Sequence, residues 1–318
     1  MVSNQPGIPK YAPILEEIGK HLKERKNLLL KRSLQIIWPL FILFAYGTIL
    51  SELYDLKSIA DDQGLFAPIF IPLWIIWILS LIYIVVMRSI FFVEKLIWVD
   101  SHFDGKNLEP KSSWKIAKKL FWPSIKFKLY IVFKYYVPSI LLFIVAIAIL
   151  NIFVGSLSVR AFAIVMFAQP ILLLPGIFIY LYYLKIKLRY TWFIFIDTYG
   201  SDITYKEIIH RMNALNLINK SDSFRQALVI NLGEDTIKSA INAVIRLVSA
   251  GVEKVGNIGG SGLGRFLGLS ARAYGEEVSL HVSHFAKLVA IYVLFRTAKK
   301  ANGEDEQFIN EKLYSLAA

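Results

Sequence analysis

Four long apolar stretches, separated by charged segments, dominate the pattern of this chain of 318 residues. A transmembrane helix needs about 20 mostly apolar residues to cross the hydrocarbon core of a bilayer. None of the four stretches contains Asp, Glu, Lys, Arg or His, so each is predicted to be a transmembrane helix. The predicted helices are Ile36–Leu50, Leu65–Met87, Tyr135–Val154 and Ala161–Leu184.

The two halves of this apolar region share a pattern. Prolines stand at matching places in the outward and the return helices. The matching segments are IIWPLFILF (36–44) with YYVPSILLF (135–143), and FAPIFIPLW (66–74) with FAQPILLLPG (167–176). We therefore expect two copies of one hairpin, inserted in the same direction, whereas a general similarity between apolar hairpins is the alternative.

Each return helix is too long for a bilayer, because its apolar pattern continues towards an aspartate, Asp100 or Asp197. A helix from Leu65 to Val99 would be about 50 Å long at 1.5 Å per residue. It must therefore tilt, bend along the membrane surface or project beyond the membrane. A polar turn with a glycine follows each aspartate.

Basic amphipathic segments precede the hairpins at 14–32 and 112–128, and a third follows at 203–218. Their spacing is typical of helices that lie at a membrane surface, with side chains such as Ile116 and Leu120 facing lipid. A solvated leader helix is the alternative for the first segment. The cations expected at lipid headgroups are Lys23, Arg25, Lys26, Arg88, Lys115, Lys118, Lys119 and Arg189.

The distribution of charge predicts the topology. All but two of the 36 Lys and Arg residues lie in 1–34, 88–134 and 185–318, and the exceptions are Lys57 and Arg160. Basic loops stay on the cytoplasmic side of a membrane, so both termini are expected there. The net charge of +12 then meets anionic lipid, which disfavours a nucleic-acid partner. A bacterial cytoplasmic membrane or an organelle inner membrane is the expected location.

The predicted fold is an all-α integral membrane protein with a C-terminal helical hairpin. Its parts are a basic interfacial segment (1–34), a four-span domain (35–198) with an inner amphipathic segment (88–128), and a helical tail (199–318). The glycine-rich segment 256–268 lacks the lysine of a phosphate-binding P-loop, so a hinge between tail helices is preferred. Whether 226–252 or 278–296 enters the membrane is left open.

Candidate chemical groups are few. The chain has no cysteine, which excludes thiolate metal sites and cysteine nucleophiles. Glu277, His281 and His284 share one helix face and form a weak metal candidate, although a solvated face is the preferred interpretation. His102, with its neighbours Asp100 and Asp104, is the best catalytic candidate, but these aspartates also suit a turn. Gln169 is a polar residue within a span. No cofactor is expected.

Two motifs resemble the multi-pass membrane domain found ahead of some glycerophosphodiester phosphodiesterases, and its stand-alone relatives of unknown function. One is Arg189-YTWFIFI-Asp197-TY-Gly200 followed by TYKEIIHR, and the other runs from Arg88 through Asp100 and Gly105 to Ser113-Trp114-KIAKKLF-Trp122. The resemblance covers about 14–218. The chain lacks the catalytic domain of those enzymes and departs from the relatives after Leu217, so no activity is implied.

These observations favour a non-enzymatic membrane scaffold or accessory subunit, which grips the inner leaflet and docks partners through helices on that side. Protein partners or self-association are expected besides the lipid bilayer. The alternatives are an oligomeric channel or transport-related protein and, less favoured, a lipid-active membrane enzyme.

Overall fold

The computed structural model describes residues 11–53, 63–106, 108–154, 175–218, 220–259, 261–304 and 311–316, and the part it describes is helical without strands. The helices are α1 (Tyr11–Leu53), α2 (Gln63–Phe103), α3 (Pro110–Lys119), α4 (Phe121–Ile131), α5 (Val137–Val154), α6 (175–187), α7 (Thr191–Asp197), α8 (Tyr205–Leu217), α9 (Lys220–Gly256), α10 (Ser261–Ala301) and α11 (Glu311–Ser315). A π-helical turn, Val132–Tyr136, joins α4 to α5.

Four described helices are long and apolar enough to cross a membrane, as in an integral membrane protein. They are Pro13–Ser51, Ile71–Phe103, Phe121–Ile149 and Gly262–Ala301. The first three overlap predicted spans. The fourth predicted span lies partly outside the described residues. Gln169 lies wholly outside them, as does most of the predicted outer loops.

Gly262–Ala301 was not predicted as a span. In this helix 61% of the most apolar window is buried inside the protein, against 11–33% in the other three. Its apolar residues therefore pack mainly on protein, which explains its hydropathy without a crossing.

The helix α2 changes its surroundings along its length. Its outer part exposes large apolar side chains, including Trp74, Ile78 and Val85, a surface suited to lipid. Beyond Arg88 the same helix is buried, and Phe91 and Leu96 are fully covered. The overlong return helix thus projects beyond the apolar band, without a break, into a packed core.

That core forms a second layer, called here the basal domain. It contains the first part of α1 (14–33), the end of α2 (89–103), α3, α4, α7, α8 and the second half of α10 (277–301), and α11 packs against it. Large buried side chains such as Trp98, Phe127, Tyr190, Phe193 and Phe285 fill it. Among the described residues, most of the large buried side chains therefore lie outside the predicted spans.

Apolar faces that were expected to meet lipid meet this core instead. Ile116 and Leu120 of the second basic segment are fully buried in protein, as is Leu29 of the first, while Trp122 stays exposed. The boundary predicted between residues 34 and 35 lies inside the unbroken helix α1. An amphipathic pattern is the same whether its apolar side meets lipid or protein, so the pattern could not distinguish them.

The helices α9 and α10 lie against each other in opposite directions. They are joined by a short 3₁₀ turn, Asn257–Gly259, with Gly260 outside the described residues. The glycine-rich segment predicted as a hinge is therefore helical from Ser261 onwards. Gly256, Gly264 and Gly268 of this segment stand where the two helices touch, because a side chain at any of them would collide with the partner helix.

Candidate functional site

A cleft opens where α2, α4 and α6 leave the apolar band. Its volume is about 540 Å³. Its apolar part includes Phe92, Trp192, Leu288 and Ile291. Its cations and other polar side chains are Lys128, Lys185, Arg189, Lys287, His284, Asn231 and Thr191. No described acidic side chain lines this basic cleft, so it is suited to an anion.

A second cavity, of about 310 Å³, lies beside the basic cleft and shares Phe92, Lys128 and Trp192 with it. Arg88, Ser89 and Ser124 complete its polar side. The rings of Phe92 and Trp192 meet edge to face with centroids 5.0 Å apart. Lys128 therefore borders both cavities, next to this aromatic pair.

An apolar groove of about 500 Å³ runs along α6 and α9 towards the lipid-facing band. On α6 it is lined by Phe178, Ile179, Tyr182, Tyr183 and Ile186, and on α9 by Phe224, Leu228 and Leu232. Lys185 and Asn231 of the basic cleft are next to this lining in sequence. A polar pocket and an apolar groove are thus adjacent. This arrangement matches a lipid molecule, which has a polar headgroup and apolar acyl chains.

The cations of the basic cleft differ in how they are paired. Glu234 lies behind the cleft, 2.9 Å from the Lys287 ammonium and 3.7 Å from that of Lys185. Lys128 is exposed, and no carboxylate in the described part of the chain lies within ion-pair distance of it. Lys128 is therefore the cleft cation whose charge is least offset.

The Arg189 side chain lies at the edge of the cleft. It donates to the Ile186 carbonyl over 3.1 Å, and its guanidinium lies 4.5 Å from the centroid of the Tyr190 ring. The turn Leu188–Tyr190 ends α6 and begins α7, which places Arg189 between the two helices.

Beneath the cleft, a chain of polar groups joins α2 to α10, and its members Lys95, Glu277 and His281 are buried. Arg88 Nε donates to Glu277 Oε1 over 2.9 Å, and His281 Nε2 lies 2.7 Å from the same oxygen. The Lys95 ammonium lies 3.2 Å from Nδ1 of His281 and 3.1 Å from Nδ1 of His284. This chain explains how a lysine that is only 1% exposed is accommodated.

The weak metal candidate Glu277, His281 and His284 belongs to this chain. The position that a metal ion would take between the two imidazoles holds the Lys95 ammonium, and the Glu277 carboxylate is bound by Arg88. The trio therefore lacks the arrangement of a metal site. The preferred interpretation as a solvated face was also wrong, because Glu277 and His281 are each 3% exposed.

A second buried pair joins α1 to α2. Arg32 donates twice to Glu94, over 3.0 and 2.9 Å. Ser113 of α3 donates to Glu94 over 3.2 Å and accepts from the Trp98 indole over 2.7 Å. These residues were not predicted as a site. The signal in the sequence was the interruption of the apolar run 90–99 by Glu94 and Lys95.

The structure does not bring His102 and Asp100 together as the catalytic candidate requires. Asp100 accepts from the hydroxyls of Tyr292 and Tyr314, over 2.8 and 3.1 Å, while His102 lies beside His21 of α1. Burial, and then the neighbouring Asp100, raise the pKa of Tyr314 well above its usual value. Asp100 is therefore a buried structural acceptor.

The other aspartate, Asp197, is held by cations. Arg211 Nη1 lies 2.7 Å from it, and the Lys299 ammonium 3.3 Å. Arg211 also pairs with Glu304. Burial disfavours the charged guanidinium, but the hydrogen bond to Glu304 and the charge of Asp197 outweigh it and raise the pKa of Arg211. This cluster fixes the far end of α10 to α7 and α8.

Of the eight cations predicted at lipid headgroups, Arg88 and Arg189 border the cavities described above. Lys23, Lys26, Lys115, Lys118 and Lys119 are exposed elsewhere on the basal domain, and Arg25 lies near the Trp98 ring. Lys128, Lys185 and Lys287 were missed. Lys185 directly follows a predicted span and Lys128 ends the second basic segment, but the convergence of these lysines depends on the tertiary fold.

Comparison with protein-family models, with curated proteins and with solved structures finds no match to this chain.

Proposed function

We propose that this protein is a non-enzymatic membrane scaffold or accessory subunit that holds anionic lipid of the inner leaflet and docks partners on the same side. The observation that carries the proposal is the basic cleft with its adjoining apolar groove. A phosphate would lie near Lys128, and an acyl chain would follow α6 and α9 into the bilayer.

The chemistry of the cleft favours this ligand class. A basic residue near a membrane surface contributes about 1 kcal/mol to the attraction of anionic lipid. Basic pockets between membrane helices are typical sites for such headgroups, and the aromatic pair of Phe92 and Trp192 suits the interfacial level. The cleft therefore offers both charge and an apolar wall.

The charged groups of the basal domain support a structural role over a catalytic one. Within the described residues, Arg32 is committed to Glu94, Arg88 to Glu277, and Lys299 to Asp197. Groups that are paired in this way fix helix positions rather than present a free acid or base to a cavity.

The proposed duplication has support from the geometry of the turns. After Asp100 and after Asp197 the chain makes a turn at a glycine with positive φ, Gly105 at 71° and Gly200 at 81°. A helix, α3 or α8, then packs back on the basal domain. A parallel repeat would place both polar turns on one side of the membrane, in agreement with the proposed cytoplasmic termini.

Lipid retention tests the proposal. The protein would be purified in mild detergent from vesicles of equal anionic and zwitterionic phospholipid, and bound lipids would be counted by native mass spectrometry. We expect the wild type to keep anionic lipid selectively. Lys128→Glu should lose most of it, whereas Lys126→Glu, an exposed lysine two residues away, should not. Equal retention by the two variants would contradict a lipid site in the cleft.

The scaffold role requires partners. Cross-linking in the native membrane should capture other proteins with the chain, and recovery of the chain alone would contradict an accessory role. Solute flux through vesicles that contain only this protein would instead favour the channel.

A further inference from the structure

A second group of titratable side chains lies away from the basic cleft. Glu17, His21 and Glu24 are spaced by four and three residues along α1, so they share one face of the helix. His102, in the last turn of α2, stands against this face. It is ten residues beyond Phe92 of the cleft, roughly 15 Å at 1.5 Å per residue.

The four side chains converge. The candidate ligand atoms of Glu17, His21 and His102 all lie within 4.8 Å of one another. His21 Nε2 is 3.7 Å from Glu17 Oε2, and the two imidazole centroids are 3.9 Å apart. On the other side, His102 Nδ1 lies 3.7 Å from Glu24 Oε2.

One ring nitrogen in this group is left without a hydrogen bond. His21 is 2% exposed, and its Nε2 has no hydrogen-bond partner within the described residues. Phe103 and Phe285 cover the rest of the ring. A buried polar atom without a partner is unfavourable, so a ligand at Nε2 would remove a cost that the helices alone leave in place.

We propose that Glu17, His21 and His102 bind one divalent transition-metal ion of the zinc class. Two imidazoles and one carboxylate form a ligand set that zinc uses with a water molecule in the fourth position. Zinc bonds of about 2.0–2.2 Å require the three ligand atoms to be closer than they are. Rotation of the Glu17 and His102 side chains, which are only partly buried, brings them together.

Glu24 has a supporting role in this site. Metal-binding histidines usually donate their other ring N–H to a carboxylate or a carbonyl, which orients the ring. Glu24 is placed to do this for His102. Lys20 and Arg25 lie close enough to His21 to oppose an added positive charge, and the two glutamates offset them. The bound ion would fix the start of α1 to the end of α2.

Metal binding by the full-length chain tests the proposal. The protein, without a histidine tag, would be stripped with a chelator and titrated with Zn²⁺ by calorimetry, and the bound metal counted after dialysis. We expect one ion per chain in the wild type and a higher unfolding temperature with Zn²⁺ present. One ion per chain should persist in the control His210→Gln, which changes an exposed histidine of α8.

The variants decide between the outcomes. His102→Gln changes a partly exposed residue and should abolish stoichiometric binding, as should His21→Gln if it folds. Glu24→Gln should weaken binding by about 10–100-fold. Loss of zinc from the wild type on dialysis would overturn the proposal. So would unchanged binding in folded His102→Gln.

Discussion

Charged side chains are buried at the junction of α1, α2 and α10, and each contacts another polar group. Arg32, Glu94 and Lys95 are 8%, 0% and 1% exposed. Removing a charge from water is costly unless it is paired and hydrogen-bonded. These contacts therefore add little net stability, but they make one relative placement of the helices far better than a shifted one.

A double-mutant cycle on Arg32 and Glu94 tests this interpretation. Arg32→Met leaves the buried Glu94 carboxylate without its main partner, so we expect a loss of about 3–5 kcal/mol in the free energy of unfolding. Glu94→Leu added to Arg32→Met should restore much of it, because neither charge is then stranded. Denaturant unfolding in detergent, followed by circular dichroism, measures both.

Lys26→Met, at an exposed position of the same helix, is the control and should change stability by less than about 0.5 kcal/mol. If the double variant loses as much free energy of unfolding as the two single variants lose together, the proposed pairing is contradicted.

Acid should weaken the far end of α10 through Glu304. Burial alone would raise the pKa of this carboxyl, but its hydrogen bonds with Arg211 and Asn302 prevail and hold the pKa below the usual value of 4.5. A carboxyl whose pKa is lowered by folding stabilises the fold at any pH above its pKa in the unfolded chain. This contribution is lost as the pH falls through the pKa in the folded protein.

We therefore expect the unfolding temperature of the wild type to fall as the pH drops below about 4.5. Glu304→Gln should be less stable than the wild type at neutral pH and should show a shallower acid decline, measured by thermal unfolding from pH 7 to 3. The same acid decline in Glu304→Gln and in the wild type would show that this pair does not contribute.

At the scale of elements, the hairpin of α9 and α10 depends on close backbone approach. A Cβ on Gly264 would lie 2.0 Å from Asn257 Oδ1 and 2.6 Å from the Glu253 carbonyl oxygen. A Cβ on Gly275 would lie 2.6 Å from the Ile245 side chain. Small residues at a helix contact allow the approach that is common among membrane helices.

Gly264→Ala should separate the two helices near the turn, because a backbone oxygen cannot move aside as a side chain can. The expected results are a lower unfolding temperature and faster amide exchange in 245–270. Gly251→Ala is the matched control, since nothing lies within 4 Å of its added Cβ. It should be neutral or stabilising by up to about 1 kcal/mol, as alanine favours a helix over glycine. Equal effects of the two substitutions would argue against the contact.

The elements differ in how far the sequence predicts them. Apolar runs predicted three of the candidate membrane helices, and the length of α2 followed from the apolar pattern that continues beyond Arg88 towards Asp100. The basal domain could not be predicted, because its contacts join residues far apart in the chain. Arg32 meets Glu94, and Lys95 meets His281. The metal candidate failed for the same reason, since helical spacing does not show which residue comes between two histidines.

For the molecule as a whole, two layers have different surroundings. The outer layer exposes apolar side chains such as Trp74 and Leu142 at 57% and 71%, whereas the basal domain buries its own. The basic cleft lies where the layers meet. A lipid bound there would contact both layers, so binding should stabilise the folded protein as a whole.

Thermal unfolding in lipid nanodiscs tests this claim most directly. A ligand that binds only the folded state stabilises it by about 2.7 kcal/mol at a hundred times its dissociation constant. The unfolding temperature of the wild type should therefore rise as the anionic lipid fraction increases. Lys128→Glu should reduce this rise, and Lys126→Glu should leave more of it. An unfolding temperature that does not depend on anionic lipid, or that responds equally in both variants, would contradict the account.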